Sequence, residues 1–149
     1  MYRLSFAILG NEADARDAMQ ESLVAAWRQL SRLRETERFD AWLQRVVVNV
    51  ARQVIRSNSR RRIREVPAST VETWATQVSP GGRDDSATLD SAMRTLPVEQ
   101  RSILVLHHLE GHGLAELAQI LDIPIGTAKS RLFTARRALA TAIAREEAG

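Results

Sequence analysis

Between Leu114 and Ile143 the chain carries two helical apolar stripes separated by one short break. Leu114, Leu117, Ala118 and Leu121 fall at i, i+3, i+4 and i+7, the spacing of one helix face. Asp122-Ile123-Pro124-Ile125-Gly126 interrupts that spacing. Pro124 cannot donate a helical hydrogen bond, and Gly126 is expected to free the backbone for a sharp turn. The second helix is expected to restart near Thr127, with Ala128, Leu132, Ala135, Leu139 and Ile143 on one stripe. Lys129, Ser130, Arg131, Phe133, Thr134, Arg136 and Arg137 lie off it. Two packed helices, a tight turn and a basic second helix form the pattern of a helix-turn-helix, whose second helix enters the major groove of DNA. The plainer alternative is a helical hairpin with a solvated basic face, and periodicity alone does not separate the two.

The order of residues does separate them. GTAKSRLFTARRAL, after an apolar helix and Ile-Pro-Ile, resembles the promoter −35-reading domain of bacterial RNA polymerase sigma factors. Within that family it is most similar to the extracytoplasmic-function (ECF) group. LPVEQRSILVLHHLEG, residues 96–111, is similar to the helix that precedes the motif. The resemblance implies −35 contacts from Thr127, Lys129, Ser130, Arg131, Phe133, Thr134, Arg136 and Arg137. Lys129, Ser130 and Arg131 sit in the first turns, where base edges are reached. Arg131 can pair bidentately with guanine, and Phe133 can meet a thymine methyl. Arg136 and Arg137 are better placed for phosphate. Thr134 stands where many relatives carry a cation, which should weaken or redirect this reading. Gly113 replaces the Ser or Thr often found at the start of the first motif helix, at a loss of only a few tenths of a kcal/mol.

Charge and composition bound the rest. A chain of 149 residues forms one domain or two small ones. It has no cysteine, which excludes disulfides, thiolate metal sites and a cysteine nucleophile. No apolar run approaches the roughly 18 residues that span a bilayer. MYRLSFAILG is too short and too weakly charged for a secretory signal, so a cytoplasmic protein without membrane insertion is expected. Residues 1–66 hold 13 arginines against 8 acidic residues, a balance of +5, while residues 96–149 are neutral. Arginine clustered around Arg52 to Arg64 is a footprint for phosphate backbones, or else a solvated run.

Along the first part, Tyr2 to Leu9 reads as a short apolar helix, and Asn11 as the N-cap of the next, with Glu12 and Asp14 in its positive first turn. Ala15, Ala18, Met19, Ser22, Leu23, Ala26 and Trp27 form the expected inner set of that helix. Asp14, Asp17, Gln20 and Glu21 form a polar face, which by itself is only a solvated one. NEADARDAMQESLVAAWRQL, however, resembles the sigma segment that grips the largest polymerase subunit. That resemblance implies polymerase contacts from Asp14, Asp17, Gln20 and Glu21, with Asp17 and Gln20 foremost. A third helix opens at Phe39, with Val46, Val47, Val50 and Val54 inward. RFDAWLQRVVVNVARQVIRSNSRRR looks like the segment that captures and melts the −10 element. The resemblance gives Arg45, Arg52 and Arg56 to phosphates, Asn49 to a base edge, and Phe39 with the loop from Arg34 to a pocket for an unstacked base. Trp42 reads as core packing. The family extends some twenty residues ahead of Tyr2, so the first helix here is expected to be short. Gln53 stands close to where relatives commonly carry Asp.

VPASTVETWATQVSPGGRDDSAT reads as a flexible linker with one large apolar residue, Trp74. Leu89, Ala92, Met93 and Leu96 then form a helical face, Pro97 suits a first turn, and Ile103, Leu104, Leu106, His107 and Leu109 continue a core. His107, His108 and His112 include an i, i+4 pair, but with neither cysteine nor an H-E-x-x-H pattern a metal is not expected. The expected fold is all-α: a three-helix domain over 1–65 for polymerase and −10 DNA, a linker over 66–85, and a four-helix domain with the helix-turn-helix over 86–149. The function implied is that of a non-enzymatic ECF-type sigma factor without cofactors. Its expected partners are core RNA polymerase, promoter DNA and an anti-sigma protein. The alternatives are a stand-alone helix-turn-helix regulator, which needs a dimer and a palindromic site, and a degenerate sigma-like interaction module.

Overall fold

The computed structural model describes residues 1–33, 38–64 and 84–149, with the backbone alone at 59–64 and 84–86. Among these residues the regular elements are helices. They are α1 (Tyr2–Leu9), α2 (Glu12–Gln29), a 3₁₀ turn (Leu30–Arg32), α3 (Phe39–Arg64), α4 (Asp84–Thr95), α5 (Val98–Leu104), α6 (Leu114–Leu121) and α7 (Ile125–Ala148). A π-helical turn, Val105–Leu109, continues α5. The expected pocket wall at 34–37 and the linker with Trp74 lie outside the described residues.

Local chemistry sets the ends. Gly10, at φ 78°, closes α1 in the left-handed conformation, and its N–H reaches Phe6 O at 2.7 Å. Asn11, extended at φ −140°, accepts the Asp14 N–H at 2.8 Å, and its own amide donates to the Asp14 carboxylate at 2.7 Å. The N-cap and the acidic first turn thus secure each other.

The turn of the helix-turn-helix differs from expectation. The left-handed residue is Asp122, at φ 55°, and Ile123 N–H returns to Ala118 O at 3.0 Å. This is a Schellman-type ending, in which the residue past the helix satisfies orphan carbonyls. Gly126 already lies in the first turn of α7, with Pro124 as the cap, and a Cβ there would meet nothing within 4 Å. Pro124 lacks an N–H that the first turn would leave unpaired anyway, so the helix begins at Ile125, two residues before the expected start.

α1 and α3 pack on α2, while α4, α5 and α6 pack on α7. α3 also meets α5 and α6, and one buried cluster joins both halves: Leu4, Ile8, Val47 and Ala51 with Leu104, Leu106, Leu117 and Leu132. On α3, Val46, Val47, Val48 and Val50 are buried and Val54 half-buried. α2 buries Ala15, Ala18 and Ser22, but Leu23 and Trp27 stand 52% and 79% exposed, against the expected inner set. α1 has eight residues and runs beside a helix of eighteen. Leu89 and Leu109, expected in the second core, are also exposed. A half-buried guanidinium ties the halves further. Arg101 donates to Met93 O, Arg94 O and Leu96 O near the end of α4, and to Ile8 O of α1 at 2.7 Å.

Candidate nucleic-acid interface

α7 buries Ala128, Leu132, Ala135 and Ala142 on one stripe. Because a helix turns 100° per residue, the positions between them face outward. Lys129, Ser130, Arg131, Phe133, Thr134, Arg136 and Arg137 are exposed, and Thr127 is half-buried. Phe133 is 62% exposed, with the Arg137 guanidinium 5.8 Å from its ring centre. That cation–π contact holds the cation beside the ring. An exposed cationic surface with one aromatic in its middle suits the edge of a DNA groove.

Arg136 is less available than its neighbours. Its Nη2 donates to His107 Nε2 at 2.9 Å. His107 Nδ1 lies 2.8 Å from His112 O, so Nδ1 carries the proton and Nε2 accepts. The His112 ring in turn bridges Glu116 of α6 and Gln44 of α3. His108 packs edge-on to His107, at 4.7 Å between ring centres. Burial, then the neighbouring His107 and Arg136, hold its imidazole below the ordinary value. Among the described residues no cluster of three or more His, Cys, Asp or Glu side chains could hold a metal.

On α3, Phe39 is partly exposed and packs against Trp42 at 5.7 Å between ring centres, while Asn49 is exposed. Arg45, Arg52 and Arg56 of this helix are engaged. Arg45 Nε donates to Ile120 O at 3.2 Å, and its Nη2 to Gln119 O. Arg52 and Arg56 both donate to Glu99 Oε1 on α5, at 3.3 and 3.5 Å. Partial burial pushes the Glu99 carboxyl up, but its own backbone N–H and the two guanidiniums outweigh that and hold it below the usual range. On α2, Asp17, Gln20 and Glu21 are exposed. Asp14 is half-buried and also accepts from Asn58 Nδ2 at 3.1 Å, so it braces α2 against α3.

Sequence reasoning missed Glu99, Gln44 and Arg101. The first two act across 43 to 68 positions and leave no periodic trace. Arg101 had one faint signal, a lone cation just before the apolar run Ile103–Leu106.

Comparison with known proteins gives a consistent result. The model of "Sigma-70 region 2" matches residues 1–61, and that of "Sigma-70, region 4" matches residues 86–139. The chain is 32% identical over 141 residues to the ECF RNA polymerase sigma-E factor of Salmonella typhimurium, covering 85% of this chain and 72% of that protein. It is 30% identical over 143 residues to the ECF RNA polymerase sigma factor SigE of Mycolicibacterium smegmatis. There it covers 93% of this chain but spans only 55% of the relative. Among solved structures, the sigma factor RpoE of Bartonella quintana, in complex with the anti-sigma factor NepR, shares the fold. Its TM-score is 0.76 at 23% identity, over 95% of this chain and 88% of that one.

Proposed function

This chain belongs to the ECF group of sigma-70 factors, and from that premise we propose that it joins core RNA polymerase in the cytoplasm and directs promoter recognition and initiation. The observation that carries the reading is the matched pair of sigma regions, in family order, with the second ending in an exposed cationic helix. A stand-alone regulator has no need of the first region.

Residues 1–65 form the polymerase- and −10-binding part in this reading, 66–85 the linker and 86–149 the −35-binding part. Asp17, Gln20 and Glu21 meet basic groups on polymerase, where charge complementarity sets orientation and rate. Asp14 supports the same face from below. Lys129, Ser130 and Arg131 face the −35 base edges, Phe133 a thymine methyl, and Thr127, Thr134, Arg136 and Arg137 the flanking backbone. Arg45, Arg52, Arg56, Asn49 and Phe39 take the melted −10 strand, by phosphate contact and stacking. No catalytic step is assigned to the chain; the polymerase supplies the chemistry. The relative solved with NepR supports an anti-sigma protein as a further partner.

Reconstitution with bacterial core polymerase and run-off transcription on genomic fragments tests this. Discrete transcripts that require the chain are expected. Gln20→Ala should lower polymerase affinity, and Arg131→Ala should weaken −35 discrimination by about 1–3 kcal/mol. A chain that does not bind core polymerase would sink the reading.

A further inference from the structure

The π-helical turn after α5 carries His107, which meets Arg136 of α7. His107 Nδ1 lies 2.8 Å from His112 O, so the backbone fixes the tautomer: Nδ1 keeps its proton and Nε2 offers a lone pair. Arg136 Nη2 donates to that lone pair at 2.9 Å. A second proton on the ring would go to the same Nε2. It would turn the acceptor into a donor and set an imidazolium against a guanidinium. The neutral ring alone can hold Arg136. The surroundings of His107 are accounted for on each side. His108 packs edge-on at 4.7 Å and, with its imidazole held below the ordinary value by burial first, takes up a proton only at lower pH. The His112 ring is turned to Glu116 of α6 and Gln44 of α3. Glu110 is half-buried past the end of the turn, and Arg3 of α1 donates to Leu109 O at 3.1 Å. Both members of the pair belong to the C-terminal half, so the contact does not depend on how the two halves pack.

We propose that His107 is a positioning residue for DNA binding by α7: the neutral imidazole holds Arg136 back from phosphate, and the protonated imidazole releases it and adds a second cation beside it. The inference rests on α7 being the DNA-facing helix, as in the sigma reading. Arg136 keeps its charge throughout, so what changes is its freedom to reach a phosphate. A phosphate beside the pair favours the charged imidazole, so duplex and proton each strengthen the binding of the other. Imidazole changes its charge between about pH 5 and 8, where the coupling can be measured.

The test uses the full chain and a short fluorescent DNA duplex of mixed sequence. The parent is expected to bind about fivefold more tightly at about pH 5.5 than at about pH 7.5, through the coupling of proton and duplex. His107→Gln keeps an amide oxygen that can accept from Arg136 but does not titrate. It should match the parent at the higher pH and gain less than about twofold at the lower. His107→Ala frees Arg136 and should bind about threefold more tightly than the parent at the higher pH. His108→Gln should keep the gain of the parent. The chain has three histidines, so the ring-proton NMR signal of His107 is assigned by its loss in His107→Gln. That signal should titrate at higher pH with the duplex than without it. A gain in His107→Gln as large as that of the parent, weaker binding by His107→Ala, or a His107 titration that the duplex leaves in place would overturn the proposal. The transcription assay separates the two ideas. Proton-linked duplex binding in a chain that supports no transcripts sinks the sigma reading alone. Transcripts with pH-independent duplex binding sink the proton link alone.

Discussion

At the scale of single residues, Arg101 carries the most. Its guanidinium donates to three carbonyls near the end of α4 and one from α1, and all four lose a donor if it is removed, although Met93 O keeps the Leu96 N–H at 3.2 Å. Arg101→Ala should lower stability by about 2–3 kcal/mol, read from the urea midpoint. Arg101→Lys should recover less than half of that, since an ammonium cannot fork to several acceptors. Full recovery by Lys would show that the charge matters and the geometry does not. His108 sets a pH dependence. Its folded-state pKa lies below the ordinary 6.5, so as pH falls the unfolded chain takes up the proton first. Stability is therefore flat above that value and declines below it. Thermal unfolding at about pH 7.5 and about pH 5.5 should show the decline, and His108→Gln should reduce it. Glu99 acts lower on the scale. Its lowered pKa stabilises the fold above the ordinary carboxylate value of 4.5, and this is lost as pH falls through the folded value.

At the scale of elements, two helices show how far a sequence pattern reaches. The stripe of α7 lies inward as its spacing implies, because α4, α5 and α6 all pack on that helix. Beyond Ser22 the stripe of α2 has no fully buried residue, and its last third presents Leu23, Val24 and Trp27 to solvent while Ala26 is half-buried. Trp27→Ala should then change stability by less than about 0.5 kcal/mol, whereas truncating the fully buried Ile8 to Ala should lose about 2–5 kcal/mol. A large loss from the Trp27 change in a denaturant titration would mean that the end of α2 has a cover. The α6–α7 turn is the other informative element. Pro124 marks the break in the sequence, but the strained residue is Asp122 and not the nearby glycine. Asp122→Gly should raise stability by up to about 1 kcal/mol, because the left-handed backbone then carries no Cβ penalty. Asp122→Val should lower it in the same thermal melt.

At the scale of the whole molecule, Arg52 and Arg56 of the N-terminal half share Glu99 of the C-terminal half. If Glu99 occupies two arginines, its removal adds two phosphate contacts to any bound strand. The slope of log affinity against log salt should then steepen by about 1.4, at roughly 0.7 per phosphate for a single strand. An unchanged slope for Glu99→Ala would show that these arginines gain no phosphate.

Most helices, the Asn11 cap and the helix-turn-helix pattern were legible in the sequence, because each depends on residues within a few positions of one another, although the residue that makes the turn was not. The Asn11 cap spans three residues, and the α7 stripe repeats every three or four. The order of the polymerase-like and DNA-like segments was legible for the same reason, as continuous motifs. What the tertiary structure decided was which faces find cover and which cations find partners. Arg52 meets Glu99 across 47 positions, and Arg45 meets the end of α6 across 75. Contacts of that span are fixed by how the two halves pack and leave no local periodicity to read. An apolar stripe states only a preference for burial; whether Trp27 or Val47 is buried depends on the length and placement of the helix beside it.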